Sequence, residues 1–285
     1  MDKLLQHFDR HFIRYSFWAV LGLIVWSWLY ILKDQPNALF DLFRAENWHY
    51  LVEFIEGMLG VGEETPAYLD PEMWQKALVL TWQTFVMSIL ATGIAAIAMF
   101  ILVLPSARNV AQGKLGFPAR WYHKVAYHIS RFFFLFSRAV PELMWAMILV
   151  FIFKPGIVPG ALALAIHNFG VLGKLCGEVI EDMDEKPIRH LAQNGASPLQ
   201  ILLYGIYPTV MPRFLNYILY RMENIIRATL IVGFVGASGL GMQFKLAMSF
   251  FHYSEITLYL LCYLLLVYVT DFLSAWAKRY LAAKD

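Results

Sequence analysis

The sequence predicts an all-α protein that crosses a membrane several times. Two observations carry that expectation. The 285-residue chain is 59% hydrophobic and only 15% charged, whereas soluble domains are nearer ~45–50% apolar and ~25% charged. Its uncharged runs also reach or exceed the ~18 residues that mark a spanning helix. Strands are not expected, because open sheet edges cannot face lipid. With a mean hydropathy of +0.55, the composition excludes a soluble globular enzyme and a disordered chain. A net charge of +2 gives no reason to expect a nucleic-acid partner.

Six helical spans are expected in order. A basic N-terminus (residues 1–14) precedes the first, Tyr15–Leu32, which is too long for a signal-peptide core and lacks a small-residue cleavage site. The second, within Ala77–Ala107, exceeds the hydrocarbon thickness and must tilt or protrude. The third covers about Phe132–Phe153, with Pro141 kinking its first turn. Lys154, Pro155 and Gly156 make a tight connection to the fourth, Ile157–Val179. The fifth covers about Phe214–Val235, and the sixth Ile256–Trp276. The remaining spans would thus form a membrane body over residues 76–276, with a short tail over 277–285.

Charge placement sets the orientation. Between Pro105 and Arg138 stand Arg108, Lys114, Arg120, Lys124, Arg131 and Arg138 with no acid, whereas Lys33–Lys76 holds nine acids and three bases. The positive-inside rule places the first segment and both termini in the cytoplasm, and residues 33–75 outside. In that external stretch Trp48, Leu51, Val52, Phe54, Ile55, Met58 and Leu59 recur at helical spacing. They fit an amphipathic helix on the membrane surface or one packed on the bundle.

Several chemistries are missing from the sequence. There is no GxxxxGK[ST] phosphate loop and no HExxH. Cys176 and Cys262 lie in apolar stretches and suit buried thiols. Gly233, Gly236, Gly239 and Gly241 have the wrong spacing for a dinucleotide fingerprint and follow a membrane helix rather than a strand. They suit a re-entrant turn or gate in which backbones approach closely.

Charges inside the spans need partners or a function, since each costs at least ~2.5–3.5 kcal/mol to insert. Arg138 and Glu142, Lys174 and Glu178, and Glu223 and Arg227 are each four apart, as helical pairs require. Arg221, Glu223 and Arg227 form one group on the fifth span, and Asn168 lies mid-helix on the fourth. Arg138, Glu142, Asn168, Arg221, Glu223 and Arg227 could line a path for an anionic solute, or hold helices together.

Residues 181–212 form the remaining loop. Pro187 and Pro198 suit helix first turns, and Gly195 suits a bend between two short helices. Gly195 and Pro208 fall at the spacing of the coupling-loop motif of type I ABC importer permeases (E-A-A, three residues, Gly, nine residues, I-x-L-P), which this loop resembles. Arg189, His190 and Leu191 stand where E-A-A would be, and Gly205 and Tyr207 replace the Ile and Leu. Arg138-Ala-Val-Pro141-Glu142, His167-Asn-Phe-Gly170, Leu219–Thr229 and the Gly233–Gly241 segment resemble the phosphonate-importer branch of that family.

The resemblance implies a permease subunit in a bacterial inner membrane. Arg189, His190, Leu191, Gly195, Ala196 and Pro208 would engage a cytoplasmic ATPase dimer. A second permease copy would complete the path, and a periplasmic binding protein would deliver a phosphonate or phosphite. No cofactor is expected in this chain, with ATP and Mg on the ATPase. The other reading is a non-transporting membrane anchor or respiratory-type subunit with a redox cofactor, such as a haem held by His pairs.

Overall fold

The computed structural model describes residues 2–34, 37, 41, 43–115 and 120–282. It divides into two compact units, Met1–Gly57 and Met58–Asp285.

In the first unit, α1 (Asp2–Asp34) is a single helix around the expected first span. It carries no proline, and Trp18, Ile24, Trp26 and Leu29 are all exposed, as suits a helix solvated by lipid. A second helix, α2 (Ala45–Met58), forms over the stretch with helical spacing, and none of its residues is buried.

The second unit is a helical bundle, with no strand among the described residues. It opens with α3 (Pro71–Ser106), where Pro71 occupies the first turn and the Asp70 carboxylate accepts from the Glu72 amide. These 36 residues extend about 54 Å, more than a bilayer core needs. A short helix, α4 (Arg108–Ala111), follows.

The third expected span is not straight. α5 (Trp121–Ala139) and α6 (Glu142–Phe153) meet at 89°. Val140 is extended at φ −90°, ψ 122° because the ring of Pro141 disfavours a helical residue before it. What the sequence read as a kink is a break.

Lys154, in the left-handed region at φ 69°, turns the chain into α7 (Ile157–Glu181). This helix packs on α3, α5 and α6. Its small residues permit the contact: a Cβ on Gly173 would collide with the Phe134 ring of α5. Next come α8 (Glu185–Gln193), the short α9 (Pro198–Gln200) and a π-helical turn, Ile201–Ile206, that runs into α10 (Tyr207–Gly233). After a tight turn, α11 (Gly239–Ser249) and α12 (Tyr253–Ala282) complete the bundle.

Among the described residues, four helices (α1, α3, α7 and α12) are long and apolar enough to cross a membrane, and the bent pair α5–α6 passes the same test when its two helices are taken together, as a broken span or a re-entrant loop. The helix that covers the remaining expected span, α10, carries Arg213, Arg221, Glu223 and Arg227.

Three apolar clusters hold the unit together. One joins Val103, Leu172, Ile180 and Phe214 to Ile188 and Ile201 of the 181–212 loop. The second centres on Met87, Ala146, Leu164, Ile225 and Val232. The third packs Ala77 and Leu240 on Ile256 and Tyr259.

Candidate functional site

The 181–212 loop is a rigid knuckle at one end of the bundle. Asp184 caps α8 by accepting from the Lys186 amide, so Pro187 stands third in the helix, still within the first turn. α8 ends as its sequence directs. Gly195 sits at φ +85°, Ala196 N donates to Leu191 O at 3.1 Å and Gly195 N to Ala192 O at 3.0 Å, a Schellman-type end that favours glycine. Ser197 and Gln200 then cap α9 reciprocally. The knuckle has two faces. Ile188 is buried at 1% exposure, and Leu191 and Ala196 pack against the same cluster. Arg189 and His190 are exposed, with Arg189 held 2.6 Å from Glu185 one turn back. Pro208 is exposed in the first turn of α10.

The intramembrane charges form two groups on opposite partners, not the one group their spacing predicted. Arg221 donates through Nε and Nη2 to Asn168 Oδ1, at 2.8 and 2.5 Å. Asn168 is buried, and its amide nitrogen donates to Leu164 O. Glu142 acts on Arg221 electrostatically and lies 3.3 Å from His167 Nε2. His167 Nδ1 lies 2.9 Å from the Val140 carbonyl. The break between α5 and α6 and the polar face of α7 are therefore tied together beside Arg221.

The second group turns toward α12. Lys278 donates to Glu223 at 2.6 Å, and Arg227 Nη2 donates to Asp271 Oδ2 at 2.6 Å. These bonds take the place of the expected Glu223–Arg227 pair, because α12 packs against α10 and presents Lys278 and Asp271 to it. The expected Arg138–Glu142 pair also fails: the chain breaks between them, and Glu142 turns to His167. Lys174 and Glu178 do pair, loosely, at 3.6 Å. Lys278 and Asp271 were missed as partners. Asp271, a charge inside the last apolar run, was the signal that could have found them.

The four glycines lie at the turn from α10 to α11. A Cβ on Gly233 would stand 2.6 Å from Gly241 Cα, while Gly236 and Gly239 hold φ +104° and +76°. Thr84 of α3 clamps the turn by accepting from Leu240 N at 2.9 Å. Among the described residues no group of three or more His, Cys, Asp or Glu could hold a metal.

The model of the family described as the binding-protein-dependent transport system inner membrane component matches residues 115–284. The chain belongs to that family. It is a multi-pass inner-membrane ABC permease of the phosphonate branch. The chain is 32% identical over 215 residues to the phosphite transport system permease protein PtxC of Stutzerimonas stutzeri, covering 75% of this chain and 74% of that one. It is 30% identical over 222 residues to the phosphate-import permease protein PhnE of Mycolicibacterium smegmatis, covering 78% of this chain but 37% of that longer one. Among solved structures, a chain of the MetNI methionine ABC transporter in an inward-facing form superposes with a TM-score of 0.60 at 17% identity, over 74% of this permease and 99% of that chain. That likeness carries the fold alone.

Proposed function

We propose that this permease is the membrane subunit of an ATP-driven importer for a phosphonate-like oxyanion, phosphonate or phosphite. The α8 knuckle docks a separate cytoplasmic ATPase dimer, which holds ATP and Mg. A second copy of the chain completes the path, and an external binding protein delivers the solute. Both termini lie in the cytoplasm.

One observation carries this reading. α8 is anchored to the bundle core by Ile188 and Leu191 while Arg189 and His190 point away. A motion imposed on that exposed face is transmitted to α3, α7 and α10 as a rigid displacement, because packed interiors resist compression. The phosphite and phosphate transport permeases that this chain resembles supply the solute class, and the arginine-rich α10 suits an anion.

Purification from the native membrane in mild detergent, with mass spectrometry of what accompanies the chain, tests the proposal. A co-purifying P-loop ATPase, lost in a Gly195→Asp variant that still folds, is the expected result. A chain that emerges alone, or with a haem protein, overturns it.

A further inference from the structure

We propose that the cleft between α5 and α7, at the end of the bundle that carries α8, binds a phosphate-type oxyanion. The cleft has a volume of about 240 Å³, and its walls carry Arg131 and Arg138 from α5 and Lys174 and Glu178 from α7. Three cations thus face one carboxylate. Gly173 and Gly177 form the floor, and a Cβ at Gly177 would stand 3.2 Å from Ser106 Oγ. Glycine at these two positions lets α5 and α3 approach α7 closely beside the cleft.

Two of these cations have carboxylate partners and one does not. Arg131 donates to Glu181 at 2.6 Å and to the Ser106 carbonyl at 3.2 Å. Glu181 accepts from the Arg108 amide through the same oxygen, so this carboxylate is shared between Arg131 and the start of α4. Lys174 and Glu178 stay 3.6 Å apart and about half exposed. The Arg138 guanidinium makes no ion pair or hydrogen bond among the described residues. A half-buried guanidinium near membrane depth calls for an anion. The planar donor fork of arginine matches a tetrahedral oxyanion with two parallel bonds. Basic pockets between membrane helices on the cytoplasmic side are suited to phosphate headgroups.

The same chemistry has two sources, an anionic phospholipid of the inner leaflet and a free oxyanion in transit. Placing the cleft at the inner leaflet rests on the orientation proposed above. The cation cluster does not depend on it.

Lys174 is a built-in reporter. The full chain is placed in phosphatidylcholine nanodiscs, and the rate at which an amine-reactive ester acylates Lys174 is followed by peptide mass spectrometry, with exposed Lys154 as the internal reference. Inorganic phosphate is titrated in one arm at matched ionic strength. In the other arm phosphatidylglycerol replaces part of the lipid. Protection of Lys174 relative to Lys154 is expected in at least one arm. Protection by inorganic phosphate identifies a free oxyanion, and protection by phosphatidylglycerol alone identifies a headgroup.

Arg138→Gln should raise the half-protecting concentration roughly fivefold, what one cation contributes near an anionic surface, and Arg138→Lys should keep most of the protection. Its guanidinium has no partner to lose, so the fold should survive the change; an unaltered Lys154 rate and a monodisperse elution profile check this. No protection in either arm, or equal protection in Arg138→Gln, overturns the proposal. The assay involves neither ATPase nor uptake, so its outcome is independent of the importer reading.

Discussion

Arg221 of α10 closes a two-pronged hydrogen bond on the single side-chain oxygen of Asn168 in α7, through Nε and Nη2. The bond joins two helices that are 53 residues apart in the chain. A neutral amide, not a carboxylate, is the direct acceptor, so the positive charge of Arg221 is held in place without being cancelled. Glu142, which lies 3.3 Å from His167 Nε2, acts on Arg221 electrostatically without a hydrogen bond to it.

Removing the acceptor should therefore cost stability before it costs anything else. Asn168→Ala is expected to destabilise the detergent-solubilised permease by about 1.5–3 kcal/mol, the worth of a hydrogen bond to a charged group. Thermal unfolding followed by size-exclusion measures it. The double variant Asn168→Leu, Arg221→Met should recover most of the folded yield, since an apolar pair of similar volume can replace a buried polar one. If Arg221 faces the solute path, uptake in cells stays lost in that double variant. Recovered uptake would make the pair a packing device.

The bonds from α10 to α12 give a second prediction. Lys278→Ala leaves Glu223, whose side chain is only 14% exposed, without its cation, and should lower stability by about 1.5–3 kcal/mol. Arg227→Ala should cost at least as much, about 2.5–3.5 kcal/mol, because it leaves Asp271, a charge inside the last apolar run, without its cation. A double-mutant cycle on each pair, read by denaturation in mixed micelles, checks the order.

The α10–α11 turn predicts a steric result. A Cβ on Gly241 would meet the Leu230 carbonyl and the Gly233 backbone, neither of which can rotate away. Gly241→Ala should cost about 1–3 kcal/mol, as overpacking does. Gly93→Ala, inside α3 with nothing within 4 Å, should instead be neutral or slightly stabilising. Midpoints from thermal denaturation of the two variants decide.

The knuckle gives the last prediction. A side chain at Gly195 would meet nothing within 4 Å, but the residue holds φ +85°. Gly195→Ala should cost about 1–2 kcal/mol, the left-handed penalty, and Gly195→Asn less, since Asn tolerates that region. The same ranking is expected for ATPase co-purification if α8 is the docking element. A Gly195→Ala variant with unchanged stability and assembly would count against a strained, rigid bend.

Much of this molecule was legible from its residues, for reasons that are local. Uncharged runs become helices because lipid offers backbone groups no other partner. Gly195 ends α8 because few other residues enter the left-handed region cheaply. Lys174 and Glu178 pair because four residues make one helical turn. The motif spacing from Gly195 to Pro208 and the Arg138–Gly241 segments pointed to the family that residues 115–284 match.

The rest was decided by which helices lie side by side. The sequence placed Glu223 with Arg227, yet α12 packs against α10 and supplies Lys278 and Asp271 instead. It read one span where Pro141 divides two helices at 89°, because a proline announces a disruption but not its angle. It could not see that glycines on α7 let α5 and α3 close around an open cleft lined by Arg131, Arg138 and Lys174. Helix identity follows from short-range periodicity. The partner of each buried charge depends on contacts between segments about 50 residues apart, and only the packed bundle sets those.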